Sequence, residues 1–171
     1  APLEIRCAWQ SNHNYCFTTT ALTSKIWWIY EDENGEWQAK PVADIGDASK
    51  IPLPVDISIS SDDQLLWVDT WHDGKTRVFD ISVPEKAFQI YEKKIGNQIN
   101  MLSQSWDGKR VYFTSSLLDN WDMREGKEGD LQYFKAYNWN GSSLEHKFSI
   151  DFIKEKLGSP HQMRFGSHSL Y

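Results

Sequence analysis

Short runs of apolar residues alternating with polar ones, separated by polar turns, make up nearly all of the chain. A period of two is the pattern of a β-strand with one buried face. Long stretches of helical period are absent, and only residues 151–157 suit one short turn of helix, with Asp151 as its cap and Gly158 as its stop. The pattern predicts an all-β protein with twelve strands, at residues 4–9, 15–20, 26–30, 37–44, 55–60, 65–71, 76–81, 88–93, 101–105, 111–115, 131–138 and 144–151.

Two of these strands belong to a repeat. Residues 62–70 read DDQLLWVDT, and residues 107–115, forty-five positions later, read DGKRVYFTS. Each copy places a polar turn before a short apolar and aromatic strand, and such a period is typical of a β-propeller blade. Three blades leave an open edge at each end, so we expect the chain to be a fragment of a longer propeller, with one piece of an assembled or nicked whole as the alternative. The predicted four-stranded antiparallel blades are residues 1–48, 49–96 and 97–158, with residues 159–171 starting a further or closing strand.

The order of strands in a blade sorts the five histidines by face. In a meander of strands a, b, c and d, the b–c turn and the connection to the next blade lie at one end, and the a–b and c–d turns lie at the other. His72 and His161 therefore fall on one face. His13 and His146 fall on the opposite face and are expected to be ordinary exposed side chains, whereas His168 is assigned to neither face.

Composition and charge narrow the classes of partner. Nine Trp, eight Phe and seven Tyr in a chain that is 40% hydrophobic supply a core, and packing between blades is the expected use of most of these rings. The formal net charge is −6 and the basic residues are scattered singly, which argues against nucleic acid as a partner. No apolar run reaches the roughly 20 residues that cross a bilayer, which argues against membrane insertion.

The two cysteines, Cys7 and Cys16, lie on neighbouring predicted strands. Free buried thiols are the favoured state, because two cysteines do not make a disulfide framework. A disulfide is the alternative, so cysteine usage leaves the redox compartment open.

Candidate chemistry is sparse. A nucleophile elbow, a phosphate-binding loop and a zinc deaminase motif are all missing from the sequence. The carboxylates of Asp62, Asp63 and Asp107 stand where the repeat places a turn, and turn formation explains them. The remaining candidates are His72 and His161, because imidazoles that meet at the mouth of a propeller are ligands for copper, iron or zinc. Polar capping of the channel is the alternative, since a metal usually has three or four ligands.

Several stretches match a known family when they are taken together: SKIW at 24–27, RVFDISVP at 77–84, DGKRVY at 107–112, TSSL at 114–117, DFIKEKLG at 151–158 and HQMR at 161–164. They resemble the C-terminal portion of the selenium-binding proteins and bacterial methanethiol oxidases, over nearly the whole chain. The resemblance implies a seven-bladed β-propeller of which this chain is the last part, covering about three blades. The remainder of that propeller is then a partner of the chain.

The resemblance also implies an activity. In the methanethiol oxidases it is the copper-dependent oxidation of methanethiol by O2 and water to formaldehyde, hydrogen sulfide and hydrogen peroxide, in the periplasm. A small thiol and O2 are then the substrates and copper the cofactor, with a cytoplasmic location as the alternative and the question of a homo-oligomer open. Two other functions stay open: a non-enzymatic binding platform on the loop face, and a metal-binding relative that acts on another small sulfur or selenium compound.

The resemblance carries over to individual residues only in part. His161 stands where the family has the histidine of its H-E-x-R motif, which implies a metal ligand. His72, which shares its face, is the second candidate ligand. WHDG at 71–74 replaces a tryptophan-x-histidine-glycine turn, so a gapless alignment puts Asp73 at the family's histidine. NQIN at 97–100 likewise replaces a glycine-glycine-proline-glutamine stretch. The side chains expected to form the substrate pocket are Trp71, Trp121, Asp122 and Arg164.

Overall fold

A computed structural model describes residues 2–126 and 129–166 of the chain. Each of its twelve strands coincides with a predicted strand to within two residues at either end. It also contains two 3-10 helices, Ala48–Lys50 and Pro84–Lys86. In the described part of the chain, no helix is long and apolar enough to cross a membrane. The strands are β1 (Pro2–Cys7), β2 (Tyr15–Thr20), β3 (Lys25–Glu31), β4 (Trp37–Asp44), β5 (Pro54–Ile59), β6 (Leu65–Thr70), β7 (Lys75–Asp80), β8 (Phe88–Lys94), β9 (Met101–Gln104), β10 (Arg110–Thr114), β11 (Tyr133–Trp139) and β12 (Leu144–Asp151).

The predicted turn of helix at 151–157 is a series of hydrogen-bonded turns instead. Asp151 does act as a cap, since its Oδ1 accepts two backbone N–H groups at 3.0 Å. The segment then ends in a turn, in which Leu157 N–H donates to Phe152 O at 2.9 Å and Lys156 has a φ of 56°. A left-handed residue at this point stops a regular helix after one turn.

The strands form three four-stranded sheets, in the orders β1-β2-β3-β4, β5-β6-β7-β8 and β12-β11-β10-β9. Every pairing is antiparallel and joins neighbours in the chain. The three sheets are called blades 1, 2 and 3 below. Their first strands are in contact, β1 with β5 and β5 with β9, as the inner strands of a propeller are. The predicted all-β propeller class is confirmed.

The sequence repeat reappears as a repeated hydrogen-bonded turn. In blade 2 the hydroxyl of Ser60 donates to Asp62 at 2.6 Å, and in blade 3 the hydroxyl of Ser105 donates to Asp107 at 2.6 Å. Each hydroxyl also accepts the N–H of the first residue of the next strand, at 2.9 and 3.0 Å. The hydroxyl bond from Ser105 is the main reason why the pKa of Asp107 lies below its usual value. The carboxylates of Asp62 and Asp107 thus serve the turn, as predicted. For Asp63 the prediction was wrong, because its buried carboxylate accepts the N–H groups of Trp9 and Gln10 in blade 1.

Two apolar cores lie between neighbouring blades. One joins blades 1 and 2 and includes Phe17, Ile57 and Phe79. The other joins blades 2 and 3 and includes Trp67 and Trp139, whose ring centroids are 5.0 Å apart with the planes at 77°. Edge-on pairs of this kind stabilise a core by about 0.5–1.5 kcal/mol beyond the area they bury. The aromatic residues of these two cores pack between blades as predicted, whereas other rings are exposed among the described residues: Trp9, Trp37, Phe88, Trp106, Trp121 and Phe148.

Cys7 and Cys16 form a disulfide, so the prediction of free thiols was wrong. The two residues are direct partners in the antiparallel pairing of β1 with β2, and opposed side chains on one face of a sheet are near enough to be bridged. The prediction failed because the disulfide depends on the register of β1 against β2, which the composition of the chain does not reveal. The bridge closes the turn at residues 8–14, whose backbone N–H groups donate to the buried carboxylate of Asp63 in blade 2 at 2.7 and 2.9 Å.

Candidate functional site

The segment after β12 returns across blade 3 and carries His161. On one side of this histidine, Pro160 O accepts the N–H of Ser116 at 3.0 Å. On the other side, Met163 O accepts the hydroxyl of Ser103 at 2.6 Å. The backbone is therefore anchored on both sides of His161.

The ring of His161 is oriented by a backbone carbonyl. Its Nδ1 lies 3.0 Å from the carbonyl oxygen of Ser116. A carbonyl only accepts, so Nδ1 carries the hydrogen and the neutral ring presents Nε2 as a lone pair. Within residues 2–126 and 129–166, no group forms a hydrogen bond with Nε2. A carbonyl on one ring nitrogen is the common way in which a metal-binding imidazole is held.

Asp122 is connected to this ring by hydrogen bonds through Ser116. The hydroxyl of Ser116 donates to Asp122 Oδ2 at 2.6 Å, and Gln132 Nε2 donates to the same oxygen at 2.8 Å. The N–H of Leu117 donates to Oδ1 at 3.0 Å. Both oxygens of this buried carboxylate are bonded inside the protein, so Asp122 holds the b–c turn of blade 3 beside His161.

A cavity of about 400 Å³ lies beside Asp122 on the same face. Trp121, expected as a pocket wall, is 56% exposed and is not among the residues that line this cavity. Arg164 is exposed as well. The wall is both apolar and charged, with Met123, Arg124, Leu131, Phe152 and Lys156 among its side chains.

His72 lies on the same face, in the b–c turn of blade 2. Its Nδ1 is 2.8 Å from the carbonyl oxygen of Ile51, so this ring also presents Nε2 as a lone pair. Trp71 is buried beside it, with the two ring centroids 5.4 Å apart. The indole N–H of Trp71 is buried and has no hydrogen-bond partner in the described part of the chain.

Asp73, which a gapless alignment puts at the family's histidine, is engaged by its own blade. Its Oδ2 accepts Arg77 Nη2 at 2.6 Å, and its Oδ1 accepts the hydroxyl of Thr70. The Arg77 guanidinium is 2% exposed and also faces Glu92, with Nε 2.9 Å from Oε2. Removing a partner of a buried charge is strongly destabilising. Asp73 therefore serves Arg77, and His72 is the side chain of this turn that is available to a ligand.

His72 and His161 share a face but no hydrogen-bond partner. Among the described residues, no group of three or more His, Cys, Asp and Glu side chains is placed to hold a metal ion. A metal bound by these two imidazoles would take its remaining ligands from solvent or from beyond the described residues.

The opposite face differs from expectation at His13. Its Nδ1 lies 2.8 Å from Asp63 Oδ2, and its ring stacks on Tyr15 with centroids 5.5 Å apart. The reason is that the buried Asp63 carboxylate requires donors, and the turn of blade 1 supplies them. Burial, helped by the charge of Asp63, raises the pKa of Tyr15 to about 12. His146 is exposed as expected, and His168 lies outside the described residues.

A pair of buried carboxyl groups was missed by the sequence reasoning. Asp56 and Asp69 are direct cross-strand partners on β5 and β6, and they are 1% and 0% exposed. Asp56 accepts the N–H groups of Ile57 and Leu102 at 2.9 Å each. Neither oxygen of Asp69 has a partner at hydrogen-bond geometry in the described part. The available signal was an aspartate among apolar residues inside a strand, where turn formation does not explain it.

Burial sets the protonation of this pair. Burial raises the pKa of Asp56 to about 6, against the lowering effect of its bond from Leu102. Burial, followed by the charge of Asp56, raises the pKa of Asp69 well above its usual value, against smaller lowering effects of Thr76 and Arg77. Burial disfavours the charged form of a carboxyl group without strong donors, so Asp69 holds its proton to a higher pH than an exposed carboxyl group does.

Comparisons with known proteins identify the family of the chain. The model of the 56 kDa selenium-binding protein family (SBP56) matches residues 1–169. The chain is 66% identical over 171 residues to a methanethiol oxidase of Ruegeria pomeroyi, a match that covers 100% of this chain and 39% of that protein. It is 57% identical over 167 residues to a methanethiol oxidase of a Hyphomicrobium species, covering 98% of this chain and 38% of that protein.

A solved structure is similar as well. A hypothetical selenium-binding protein from Sulfolobus tokodaii superimposes with a TM-score of 0.73 at 27% identity, over 89% of this chain and 41% of that chain. The chain thus spans 38–39% of the length of the two oxidases that it matches. The family match extends over nearly every residue, and the chain belongs to the 56 kDa selenium-binding protein family.

Proposed function

We propose that this chain forms part of a copper-dependent methanethiol oxidase. The observation that carries the proposal is the pair His72 and His161, two imidazoles on one face with Nδ1 fixed on a carbonyl, in a chain 66% identical to a methanethiol oxidase. The reaction consumes methanethiol, O2 and water in equal amounts and yields formaldehyde, hydrogen sulfide and hydrogen peroxide in the same amounts. The protein is then an oxidoreductase of sulfur metabolism, with a small thiol and O2 as its substrates.

The donor set suits copper. Neutral imidazole nitrogen is a copper ligand, and His72 and His161 would hold the metal through Nε2. When bound, copper supplies a soft acceptor for the thiolate sulfur and a route for electrons to O2. The carbonyls of Ile51 and Ser116 keep each ring in the Nδ1–H tautomer, so neither neutral ring needs to lose a proton before it binds metal.

The neighbouring side chains supply the substrate pocket. The buried indole of Trp71 stands beside His72 and gives apolar surface for a methyl group. Asp122 holds the turn that carries Trp121, which is then free to cover the substrate. The positive charge of Arg164, three residues after His161, favours a thiolate over a neutral thiol.

The remainder of a seven-bladed propeller is the proposed partner that completes the site. Apolar side chains of β1 (Leu3, Ile5) and of β12 (Phe148, Ile150) are exposed at the two ends of the three-blade array. Burying side chains of this type contributes about 1.5–3 kcal/mol each. Further blades that cover them would also bring the remaining metal ligands.

We place the protein in the periplasm. The Cys7–Cys16 disulfide supports this location, because disulfides form and persist in oxidising compartments and are rare in the cytosol.

The test uses the intact protein, with copper content and thiol-dependent formation of hydrogen peroxide as the measurements. His161→Ala, and separately His72→Ala, is expected to weaken copper binding and lower peroxide formation by at least about 10-fold. His146→Ala, an exposed histidine of the opposite face, is the matched control and should keep both. A wild-type protein without copper and without thiol-dependent peroxide overturns the oxidase and favours a binding platform. Copper with oxidation of a different thiol or selenol favours a relative with another substrate.

A further inference from the structure

Two side chains of blade 3 hold the backbone of His161. The hydroxyl of Thr114 donates to His161 O at 2.7 Å, and Asn100 Nδ2 donates to the same oxygen at 3.2 Å. Both side chains are 2% exposed. A buried donor left without its acceptor is unfavourable, so these two bonds specify where the backbone of His161 lies.

The amide of Asn100 connects this backbone contact to the imidazole ring. Its two hydrogens are directed at Ser116 O, 2.6 Å away, and at His161 O. Nδ1 of His161 lies 3.2 Å from the same amide nitrogen, but the amide has no third hydrogen for it. Nδ1 therefore donates its own hydrogen to Ser116 O. Asn100 and the ring share one acceptor, which couples the position of the amide to the tautomer of the ring.

We propose that Asn100 and Thr114 are positioning residues that present Nε2 of His161 to a metal ion. The identity of the metal rests on the proposed function, whereas the tautomer and the position of the ring do not. Neither residue bonds Nε2; both act through the backbone carbonyl and through the shared acceptor. Asn100 belongs to the stretch at 97–100 that departs from the family's pattern. Under this proposal, one residue of that stretch, Asn100, orients His161.

Two variants remove the contacts with little change of shape. Thr114→Val removes the hydroxyl and keeps a β-branched side chain in β10, and Asn100→Asp removes both amide hydrogens at the same size. Thr114→Ser restores the hydroxyl and should restore the wild-type behaviour. Thr19→Val is the matched control, because Thr19 is a fully buried strand threonine of blade 1 whose hydroxyl has no partner in the described part.

The first measurement is the tautomer of His161 in the metal-free intact protein, read from the 15N shifts of its ring nitrogens at one alkaline pH. Wild type, Thr19→Val and Thr114→Ser should show the Nδ1–H form. Thr114→Val should raise the Nε2–H population relative to Nδ1–H by about fivefold, the effect of losing one ordinary hydrogen bond. Asn100→Asp should keep the Nδ1–H form, because its carboxylate oxygen accepts the Nδ1 hydrogen that lies close to it. Unchanged tautomers in a folded Thr114→Val protein overturn the proposal even if Asn100→Asp does not fold.

The second measurement is copper affinity, by competition with a chelator of known affinity. Loss of an outer contact of a metal ligand weakens metal binding by about 10–100-fold, and we expect this for Thr114→Val but not for Thr19→Val. A changed tautomer with unchanged copper affinity overturns the metal-presenting role. A wild-type protein that binds no copper sinks the proposed oxidase, while a tautomer shift in Thr114→Val still supports the positioning of His161.

Discussion

Asp69→Asn should make the stability of the protein less sensitive to pH above pH 6. Asp69 is fully buried on β6, opposite the buried Asp56, and neither of its oxygens has a partner at hydrogen-bond geometry in the described part. Burial is the main reason why its pKa lies well above the usual value. The folded protein therefore releases this proton at a higher pH than the unfolded chain does.

The sign and size of the effect follow from proton linkage. A carboxyl group with a raised pKa contributes stability that is fully present below its unfolded pKa of 3.8 and is lost as the pH rises. For Asp56, whose pKa rises to about 6, the loss is complete near that pH and amounts to about 3 kcal/mol. Asp69 goes on losing about 1.4 kcal/mol per pH unit while the pH stays below its folded pKa.

The assay is urea unfolding of the intact protein at pH 6, 7 and 8. The free energy of unfolding of Asp69→Asn, minus that of wild type, should grow as the pH rises, by at most about 1.4 kcal/mol per pH unit. Asp107→Asn is the control: the pKa of that carboxyl is lowered, chiefly by the hydroxyl of Ser105, so its contribution is lost only on acidification. Parallel pH profiles for wild type and Asp69→Asn would refute the reasoning. A profile that flattens equally in Asp107→Asn would assign the slope to other groups.

Two further predictions concern the disulfide and a glycine turn. Replacing both Cys7 and Cys16 by Ser should lower the free energy of unfolding by about 2–3 kcal/mol, the chain-entropy value for so short a loop. In urea unfolding, a reductant should lower the stability of wild type by the same amount. An intact mass that shows two free thiols in the untreated protein would contradict the bridge. Gly74→Ala should lower the melting temperature far more than Gly108→Ala, because both have positive φ but an added Cβ at Gly74 would lie 2.0 Å from Gly96 O, while nothing lies within 4 Å at Gly108. Equal losses would mean that backbone strain alone, about 1–2 kcal/mol, decides both.

The strands and the blade class could be predicted because their causes are local. The period of two and the turn residues act within a few positions, and the turns of Ser60 with Asp62 and of Ser105 with Asp107 show it: each is closed by bonds that span at most five residues. Each blade is a meander of chain neighbours, so the strand order followed once the strands were known. The sorting of side chains by face rested on the same order.

The remaining features depend on which residues meet across blades or across strands. The disulfide required the register of β1 against β2, and the partner of His13 lies 50 residues away in blade 2. The pairing of Asp56 with Asp69 required the register of β5 against β6. A single sequence contains no signal for these contacts, because register and blade docking arise from packing of the whole sheet.

The candidate site depends both on a local sequence motif and on contacts between residues far apart in the chain. His161 was recognised from a local motif, but the groups that orient it, Asn100 and Ser116, lie 61 and 45 residues earlier. Between Ser116 and His161 the chain passes through β11 and β12 and then returns to the end of β10. His161 is therefore oriented by residues of the blade that precedes it in the chain. The orientation of His161 is thus built into blade 3, whereas under the proposed function any further metal ligands would come from other blades. Copper binding, under the proposed function, would then report on the closure of the propeller as well as on the chemistry of one histidine.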